Sequence, residues 1–312
     1  MHEIMISICV PTYNHEKYIC QALDSIYMQK TQYSYEVLVG EDCSTDNTRA
    51  VLKEWERTHP GNFQFFYRQT NMSGSEIGNS TDLKLRARGK YIIILEGDDF
   101  WTDPEKLEKQ VTFLENHPEY YAVAHNCVVV GADSEPNGET YPQCTDPEYT
   151  LRHFVSDIMP GQLTTVLCRN YMLDESFDHT LITQKIGPGD RKLYFSLVSL
   201  RRVYCMQECM SAYRHVTSGG SSYSAGYVHS FAKEEIPLRQ RVEFADRHGN
   251  PEAIRCARLQ YLLYLRHAAR NHYADRNTLR QSVKIIPGWY RYLPLILKRD
   301  INRSLLKKQL HI

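Results

Sequence analysis

The sequence predicts an α/β fold with a mostly parallel central sheet flanked by helices, followed by a helical C-terminal extension. Three observations support this prediction. Strand-like and helix-like segments alternate from residue 5 to residue 131. The run YIIIL at 91–95 is apolar throughout, as in a strand covered on both faces of a sheet. Residues 234–312 have a helical pattern.

Each element of the alternating region is predicted from hydrophobic periodicity and from the residues at its ends. The predicted strands cover residues 5–12, 35–42, 63–68, 91–95 and 121–131, and the predicted helices cover residues 15–29, 45–59, 76–89 and 103–118. In the last of these helices, Asp103 can act as the N-cap and Pro104 fits the first helical position. After a polar loop, the pattern resumes at 163–169, with a helix after 187–190 and then the run 201–215.

Strand–helix alternation at this spacing predicts a parallel sheet with helices on both faces. Ligands of such sheets bind beyond the carboxyl ends of the strands, near the point where the strand order reverses. The residues that directly follow strands are therefore the functional candidates, namely Pro11–Asn14, Glu41–Asp46, Arg68–Asn71 and Glu96–Trp101.

Composition is ordinary for a soluble globular protein, with 42% hydrophobic and 24% charged residues. Charge is uneven, because residues 1–150 hold 24 acidic and 12 basic side chains whereas residues 151–312 hold 13 and 25. Two interpretations stay open. Either the basic half faces acidic lipid or an acidic partner, or the two halves attract each other.

No apolar run approaches the ~20 residues of a membrane helix, and the short run Ile4–Val10 is not expected to be a signal peptide. Nine scattered cysteines favour reduced thiols and a cytoplasmic location over a disulfide framework. Cys205 and Cys209 lack a second pair at zinc spacing and are interpreted as structural. The basic segment 284–312 is either an amphipathic membrane anchor or an ordinary packed helix with a solvated basic face.

Three carboxylates, Glu96, Asp98 and Asp99, stand within four positions at the end of the strand 91–95. Crowded carboxylates repel each other, so a purely structural role is a poor explanation, although solvated turn acids stay an alternative. Mg²⁺ and Mn²⁺ prefer oxygen ligands, and one or two carboxylates with substrate phosphates are enough to hold Mg²⁺. The sequence therefore favours a site for a divalent cation and a phosphate-bearing ligand.

A second acidic cluster, GEDCSTDNT, follows the strand 35–42. Asp46 is interpreted as a helix cap, whereas Asp42 at the strand end can accept hydrogen bonds from a base or a ribose. Neither a P-loop nor a G-x-G-x-x-G motif follows the first strand, which argues against ATPases and nicotinamide enzymes. The pattern favours a nucleotide held by side chains, with its diphosphate held by a metal ion.

Four segments resemble family 2 glycosyltransferases of the Rossmann-like glycosyltransferase A fold. They are ISICVPTYNHEKYICQALDSI, EVLVGEDCSTDNT, RGKYIIILEGDDFWTDPEKLEKQVTFLENHP and GDRKLYFSLVSLRRVYCMQECMSAYR. The resemblance covers residues 4–222, and it is greatest to bacterial enzymes that build capsule, O-antigen or related surface glycans. It implies a nucleotide-sugar-binding catalytic domain at 1–225, which leaves a helical C-terminal extension at 226–312. Whether this extension associates with a membrane or a partner stays open.

The resemblance also implies roles for individual residues. It assigns nucleotide binding to Pro11, Thr12, Tyr13, Asp42, Asn79, Glu96, Asp98 and Arg214. It assigns metal binding to Asp99 first and then to Asp98. Glu96 stands where relatives carry Asp, and it is expected to face the ribose. Arg214 is a better phosphate ligand than His215, because His215 lies one position earlier than the usual histidine.

On the sugar side, Asp190 in GPGDRKLYF matches the general base, although many relatives have Glu-Asp where this chain has Gly189-Asp190. Trp101 is a candidate wall for sugar stacking, and Thr164 belongs to the acceptor side. The resemblance implies an inverting enzyme that uses Mn²⁺ or Mg²⁺. It also implies a nucleotide-sugar donor, with UDP as the expected carrier, and a glycan or lipid-linked acceptor. Nucleic acid is not an expected partner.

Two alternative functions stay open. A sugar nucleotidylyltransferase shares a related core, but such enzymes carry a Gly-rich loop where this chain has PTYNHEKY. A catalytically inactive nucleotide-sugar-binding subunit is the other alternative. The expected location is cytoplasmic, with peripheral contact at the inner face of the plasma membrane if the basic C-terminus binds lipid.

Overall fold

The computed structural model describes residues 4–216 and 230–297, and the chain divides into two compact units, Met1–Tyr227 and Val228–Ile312. Nine strands of the described residues form one sheet. They are β1 Ile6–Thr12, β2 Tyr35–Glu41, β3 Phe63–Tyr67, β4 Tyr91–Ile94, β5 Phe100–Trp101, β6 Tyr120–Val130, β7 Glu148–Tyr149, β8 Leu167–Arg169 and β9 Arg202–Arg214.

Six described helices belong to the first unit and three to the second. They are α1 Ile19–Tyr27, α2 Thr48–Thr58, α3 Asn79–Arg86, α4 Lys106–Asn116, α5 Leu151–Val155, α6 Gly189–Leu200, α7 Phe231–His248, α8 Pro251–Arg270 and α9 Arg276–Val283. The predicted alternation from residue 5 to residue 131 is confirmed, with boundaries shifted by a few residues. The part of the predicted C-terminal helix beyond 297 lies outside the described residues.

The sheet has the order β3-β2-β1-β4-β8-β6-β9-β5, with β7 paired to β9. The pairs among β1 to β4 are parallel, as the alternation predicts, and so is the pair of β6 and β9. By contrast, β8 is antiparallel to both neighbours, and β5 and β7 are antiparallel to β9. The second half of the sheet is therefore mixed, because the long loop after β6 returns the chain without a helical crossover of the kind that separates β1 to β4.

Two local predictions are corrected. The helix expected to begin at Pro104 begins at Lys106, and the Asp103 carboxylate accepts a hydrogen bond from the Glu105 N–H, 2.8 Å away, in the turn before it. The segment 163–169 is a 3₁₀ turn at Leu163–Thr165 followed by the short strand β8.

The core of the first unit lies between the sheet and its helices. Ile8, Ile93 and Leu107 are among the side chains with at most 1% exposure. The apolar face predicted for the first helix is confirmed, since α1 buries Ile19, Ala22, Leu23 and Ile26. This packing fixes the carboxyl ends of β1, β2 and β4 at one edge of the sheet, where ligands of such folds bind.

The second unit consists of α7 to α9 and the segment that follows α9. Its longest helix, α8, starts with Asn250 as N-cap and Pro251 at the first helical position. Across the described residues, no helix has both the length and the apolar character needed to cross a membrane.

Gly89, just before β4, is required by close packing. A Cβ there would lie 2.6 Å from the Ser7 nitrogen and 2.7 Å from the Ile6 carbonyl carbon, which are backbone atoms of β1. Gly89→Ala should therefore destabilise the protein by about 1–3 kcal/mol, measured as the free energy of unfolding in urea. Gly74→Ala is the matched control, because its Cβ would meet nothing within 4 Å. Equal stability of both variants would contradict this account of β1–β4 packing.

Candidate active site

A cavity of about 390 Å³ lies beyond the carboxyl ends of β1, β2 and β4. Its lining includes most of the nucleotide-binding candidates, namely Pro11, Thr12, Tyr13, Asp42, Asn79, Glu96 and Asp98. His15, Gly78, Ser80, Ile94 and Leu163 complete the wall. Residues that are far apart in the sequence thus converge on one concave surface, as expected for the end of a parallel sheet.

Residues 96–99 between β4 and β5, here called the acidic turn, fit tightly against the loop after β1. A Cβ at Gly97 would lie 2.7 Å from the Thr12 Oγ1 and 2.8 Å from the His15 Nδ1. The Gly97 N–H also donates to the Pro11 carbonyl at 3.2 Å. Gly97 therefore lets the acidic turn approach the loop closely enough for both to share the cavity.

Asp98 faces the cavity, and its nearest ionisable partner is His15. The His15 Nε2 lies 3.7 Å from the Asp98 Oδ2, and its Nδ1 lies 3.2 Å from the Thr12 Oγ1. Burial lowers the pKa of His15 below its ordinary value, although the Asp98 charge opposes this shift.

Asp99 points away from the cavity and is only 1% exposed. Its Oδ1 accepts a 2.8 Å hydrogen bond from the Arg214 backbone N–H, while its buried Oδ2 has no hydrogen-bond partner among the described residues. Burial raises the pKa of Asp99 well above its usual range, and repulsion from Asp98 and Glu96 adds to this. In this structure Asp98 is therefore better exposed to a ligand than Asp99, the reverse of the order expected from the sequence.

Arg214 holds the acidic turn from behind. Its guanidinium donates to the carbonyls of Asp98 and Gly131, both at 2.8 Å, to the Gln21 Oε1 at 2.8 Å and to the Ser134 Oγ at 3.0 Å. It also lies 4.2 Å from the centroid of the Tyr18 ring. The side chain expected to contact a diphosphate is thus engaged within the protein, and it does not line the cavity.

Glu96 is the third carboxylate of the turn, and its Oε2 accepts a 3.0 Å hydrogen bond from the Gln162 Nε2. Burial, followed by repulsion from Asp98 and Asp190, raises the pKa of Glu96 to about 7. Lys84, a buried cation on α3, opposes this rise. The negative charge of Asp190 therefore adds to the electrostatic repulsion that Glu96 experiences in the acidic turn.

Asp42 and Asn79 occupy the other side of the cavity. The Asp42 Oδ1 accepts a 2.7 Å hydrogen bond from the Met72 N–H, and burial raises the pKa of Asp42. The Asn79 Nδ2 donates to the Gly40 carbonyl at 2.7 Å, and its Oδ1 accepts from the Arg68 Nε at 3.2 Å. The other carboxylate oxygen of Asp42 accepts no hydrogen bond from the described residues. The Asn79 amide is already bonded to the Gly40 carbonyl at the end of β2 and to Arg68.

The two candidates for sugar or acceptor contact lie in the core. Trp101 is 1% exposed, its indole N–H donates to the Thr164 carbonyl at 3.1 Å, and the buried Lys106 Nζ lies 4.1 Å from its ring centroid. Thr164 is fully buried, and its Oγ1 has no hydrogen-bond partner among the described residues. Neither side chain lines the cavity. Trp101 packs in the core next to the acidic turn and does not form a wall of the cavity.

Asp190 lies in the first turn of α6, where the helix dipole favours a negative charge. Its Oδ1 accepts a 2.7 Å hydrogen bond from the Arg191 N–H. Tyr213 on β9 lies near both Asp190 and the acidic turn: burial and then the charges of these carboxylates raise the pKa of Tyr213. The Tyr213 ring meets the Tyr141 ring edge-on, with centroids 5.6 Å apart.

Sequence reasoning missed His15 and Tyr213 as residues of this region. The signal for His15 was its position in the first loop, three residues after Thr12, within the motif PTYNH. Tyr213 had no such signal, because strand alternation places it on the face of β9 opposite to its neighbour Arg214. Gln162, which bonds Glu96, had no sequence signal.

A sequence profile for glycosyl transferase family 2 matches residues 7–169, just over half of the chain. The chain belongs to glycosyl transferase family 2. The matched region contains the acidic turn and all the strands from β2 to β8, whereas Asp190 and β9 lie beyond it.

Three of the curated sequences that match this chain illustrate what it is similar to. A Mycobacterium tuberculosis protein is 39% identical over 137 residues, 44% of this chain and 39% of that protein. WfgD of Escherichia coli, a UDP-Glc:alpha-D-GlcNAc-diphosphoundecaprenol beta-1,3-glucosyltransferase, is 31% identical over 146 residues, 45% of this chain and 55% of WfgD. TarS of Staphylococcus aureus, a poly(ribitol-phosphate) beta-N-acetylglucosaminyltransferase, is 32% identical over 152 residues, 46% of this chain and 24% of TarS.

The fold is also that of TarS. The crystal structure of TarS 1–349 in complex with UDP-GlcNAc matches with a TM-score of 0.65 and 19% identity, over 91% of this chain and 80% of that one. This similarity confirms the glycosyltransferase A fold predicted for the family 2 chain, with its helical C-terminal region. The sequence alignments cover less than two thirds of each curated relative, so they do not establish the substrates of this chain.

The residues present fit a divalent cation that is completed by a ligand. No three His, Cys, Asp or Glu side chains within residues 4–216 and 230–297 are arranged to hold a metal ion by themselves. Mg²⁺ typically needs only one or two carboxylates when phosphates supply the other oxygens. The cavity-facing Asp98, with the unpartnered Asp99 Oδ2 behind it, provides such a donor set.

The raised pKa of Glu96 predicts a pH-dependent stability. A carboxyl whose pKa is about 7 when folded and about 4.5 when unfolded binds more protons in the folded state, so it lowers stability as pH rises between these values. Glu96→Gln keeps an acceptor for Gln162 and should raise the free energy of unfolding at pH 8 by roughly 2–3 kcal/mol, with little gain at pH 4.5.

The measurement is urea unfolding at both pH values with a chelator present. Glu76→Gln, at an exposed position without an ion pair among the described residues, is the control and should leave the pH dependence unchanged. An equal effect of Glu96→Gln at pH 4.5 and pH 8 would mean that Glu96 does not titrate near neutrality.

Proposed function

We propose that this chain is a metal-dependent, inverting glycosyltransferase that moves a sugar from a nucleoside diphosphate sugar to a hydroxyl of a glycan or lipid-linked acceptor in surface polysaccharide synthesis. The observation that carries the proposal is the position of the acidic turn. It joins the cavity at the ends of β1, β2 and β4, and its charge interacts with Asp190 on α6. Membership of glycosyl transferase family 2 supports the reaction class.

The donor is proposed to be a UDP-sugar. WfgD is named for a UDP-Glc donor, and TarS was crystallised with UDP-GlcNAc, which supports the nucleotide but not the sugar for this chain. Asp42, beside Pro11 and Tyr13, would accept hydrogen bonds from the base. Glu96 would accept from the ribose, and its negative form is favoured once a cation lowers the local repulsion.

The cation is proposed to be Mn²⁺ or Mg²⁺. Asp98 would hold it directly because Asp98 faces the cavity, and Asp99 would either complete the site through its Oδ2 or stabilise it from behind. When bound, the cation offsets the negative charge that builds on the leaving diphosphate. Arg214 is proposed to position the Asp98 backbone, and a direct contact of Arg214 with phosphate stays a prediction that needs the guanidinium to leave its present partners.

Asp190 is proposed to be the general base. An acceptor hydroxyl attacks C1 of the sugar, the bond between C1 and the diphosphate oxygen breaks, and the hydroxyl proton passes to the Asp190 carboxylate. The nucleoside diphosphate leaves with the electron pair of the broken bond. In-line attack inverts the configuration at C1, so an α-linked donor gives a β-linked product.

The proposed location is cytoplasmic, because nucleotide sugars are cytoplasmic metabolites. All nine cysteines are described and none forms a disulfide, which supports a reducing compartment.

Asp190→Asn separates binding from transfer. The variant should bind UDP with Mn²⁺ as the unchanged chain does, whereas the rate of sugar transfer should fall about 10²–10⁴-fold, because the acceptor proton has lost its acceptor. Calorimetry of UDP–Mn²⁺ binding and release of UDP from UDP-GlcNAc or UDP-Glc measure the two quantities. Glu252→Gln removes a first-turn carboxylate from α8 and serves as the control for helix-dipole effects. Normal transfer by Asp190→Asn would refute the base assignment.

Asp98→Asn tests the metal site. It should weaken UDP binding in the presence of Mn²⁺ at least about tenfold and leave the weak binding of UDP alone unchanged, since only the cation contact is lost. Asp99→Asn should give a smaller loss if Asp99 acts from behind, and an equal loss if its Oδ2 is a direct ligand. Mn²⁺-dependent binding that survives in Asp98→Asn would exclude Asp98 as the principal ligand.

A further inference from the structure

The segment after α9 in the second unit presents apolar side chains in two directions. Two isoleucines point inward, with Ile286 fully buried and Ile296 6% exposed. Five large apolar side chains point outward, and we call them the 285–297 surface: Ile285 39%, Trp289 38%, Tyr290 58%, Leu293 42% and Leu297 56% exposed. Five exposed large apolar side chains within 13 positions exceed what a solvated surface requires.

The segment is anchored within its own unit. The Arg266 side chain on α8 donates to the Ile296 carbonyl at 3.3 Å, and the buried Ile286 and Ile296 fix the segment from inside. The outward side chains therefore lie on a supported backbone rather than on a free end, so they are presented without a large ordering cost on binding.

The charged residues along this segment have one sign. The sequence from 276 to 297 contains no Asp or Glu, and its four basic residues, Arg276, Arg280, Lys284 and Arg291, are all exposed. Lys298, Arg299, Arg303, Lys307 and Lys308 follow in the sequence, against one acid, Asp300. A partner that fits this surface must therefore have a negatively charged outer layer and an apolar interior beneath it.

We infer that the 285–297 surface binds the interface of a bilayer that contains anionic phospholipid. Trp and Tyr side chains are favoured at the depth of lipid headgroups, Leu and Ile enter the acyl boundary, and Lys and Arg are attracted by anionic headgroups. A second copy of this chain fits less well, because it would bring two basic surfaces together. The surface lies outside the proposed active site, and vesicle binding needs no nucleotide sugar.

The test is flotation of the full chain with two kinds of vesicle, phosphatidylcholine alone and phosphatidylcholine mixed with phosphatidylglycerol. The unchanged chain should float with the mixed vesicles and much less with the neutral ones. Tyr290→Ser combined with Leu297→Ser should weaken partitioning to mixed vesicles at least about tenfold, because the two most exposed apolar contacts are lost. Arg291→Gln should weaken it about fivefold and only on mixed vesicles.

Matched controls come from the first unit. Leu85→Ser combined with Leu173→Ser removes two leucines with exposures of 55% and 58% and should leave flotation unchanged. Thermal unfolding of each variant verifies folding, and UDP–Mn²⁺ binding verifies that the first unit is intact. The inference is supported if the variant with Tyr290→Ser and Leu297→Ser loses flotation, keeps its thermal stability, and is the only one of the two double variants to lose flotation.

Three results would overturn it. The unchanged chain could fail to float with mixed vesicles, or the 290/297 variant could float as well as the unchanged chain. The third result has two parts: the unchanged chain binds no vesicles, and light scattering shows a dimer that Tyr290→Ser and Leu297→Ser convert to a monomer. It would identify the surface as an interface between copies. None of these results bears on transfer by Asp190, so failure here leaves the proposed reaction standing.

Discussion

Mutual repulsion among the carboxylates of the acidic turn is the constraint on which this structure depends. Glu96, Asp98 and Asp99 would separate if the turn were free, because burial makes their repulsion stronger than in water. Arg214 opposes this separation, because its backbone N–H donates to the Asp99 carboxylate and its guanidinium donates to the Asp98 carbonyl. The same guanidinium reaches Gln21 on α1, so β9, α1 and the acidic turn are held together at one point.

The arrangement is unfavourable for stability and favourable for binding a cation. Arg214 bonds the backbone of Asp98 and leaves its carboxylate on the cavity, while His15, the nearest basic side chain, has its pKa lowered by burial. Lys84 and Arg214 offset part of the negative charge of the turn, and the Asp98 carboxylate stays open to the cavity. A divalent ion brought with a diphosphate would neutralise it, so ligand binding would relieve the repulsion that folding leaves in place.

The sequence was sufficient for the elements that have clear periodicity and for the edge of the sheet that carries the site. It was insufficient where an element is too short to have a period: β5 and β7 contain two residues each and exist only because β9 pairs with them. The burial of Trp101 could not be predicted for a similar reason. Adjacent strand residues face opposite ways, and pairing of Phe100 and Trp101 with residues 212 and 211, more than a hundred positions later, decides which one is buried.

The positions of the charged residues also give a physical reason for the uneven charge of the chain. The acidic turn belongs to the acidic half, where the proposed function places a divalent cation and a diphosphate. The basic residues from Arg276 to Arg291 are instead exposed beside apolar side chains in the other unit. Attraction between the two halves would need those basic groups to lie against acids, yet they would then be unavailable to headgroups. Their exposure alongside Trp289 and Tyr290 favours an external anionic surface over internal charge pairing as the reason for the asymmetry.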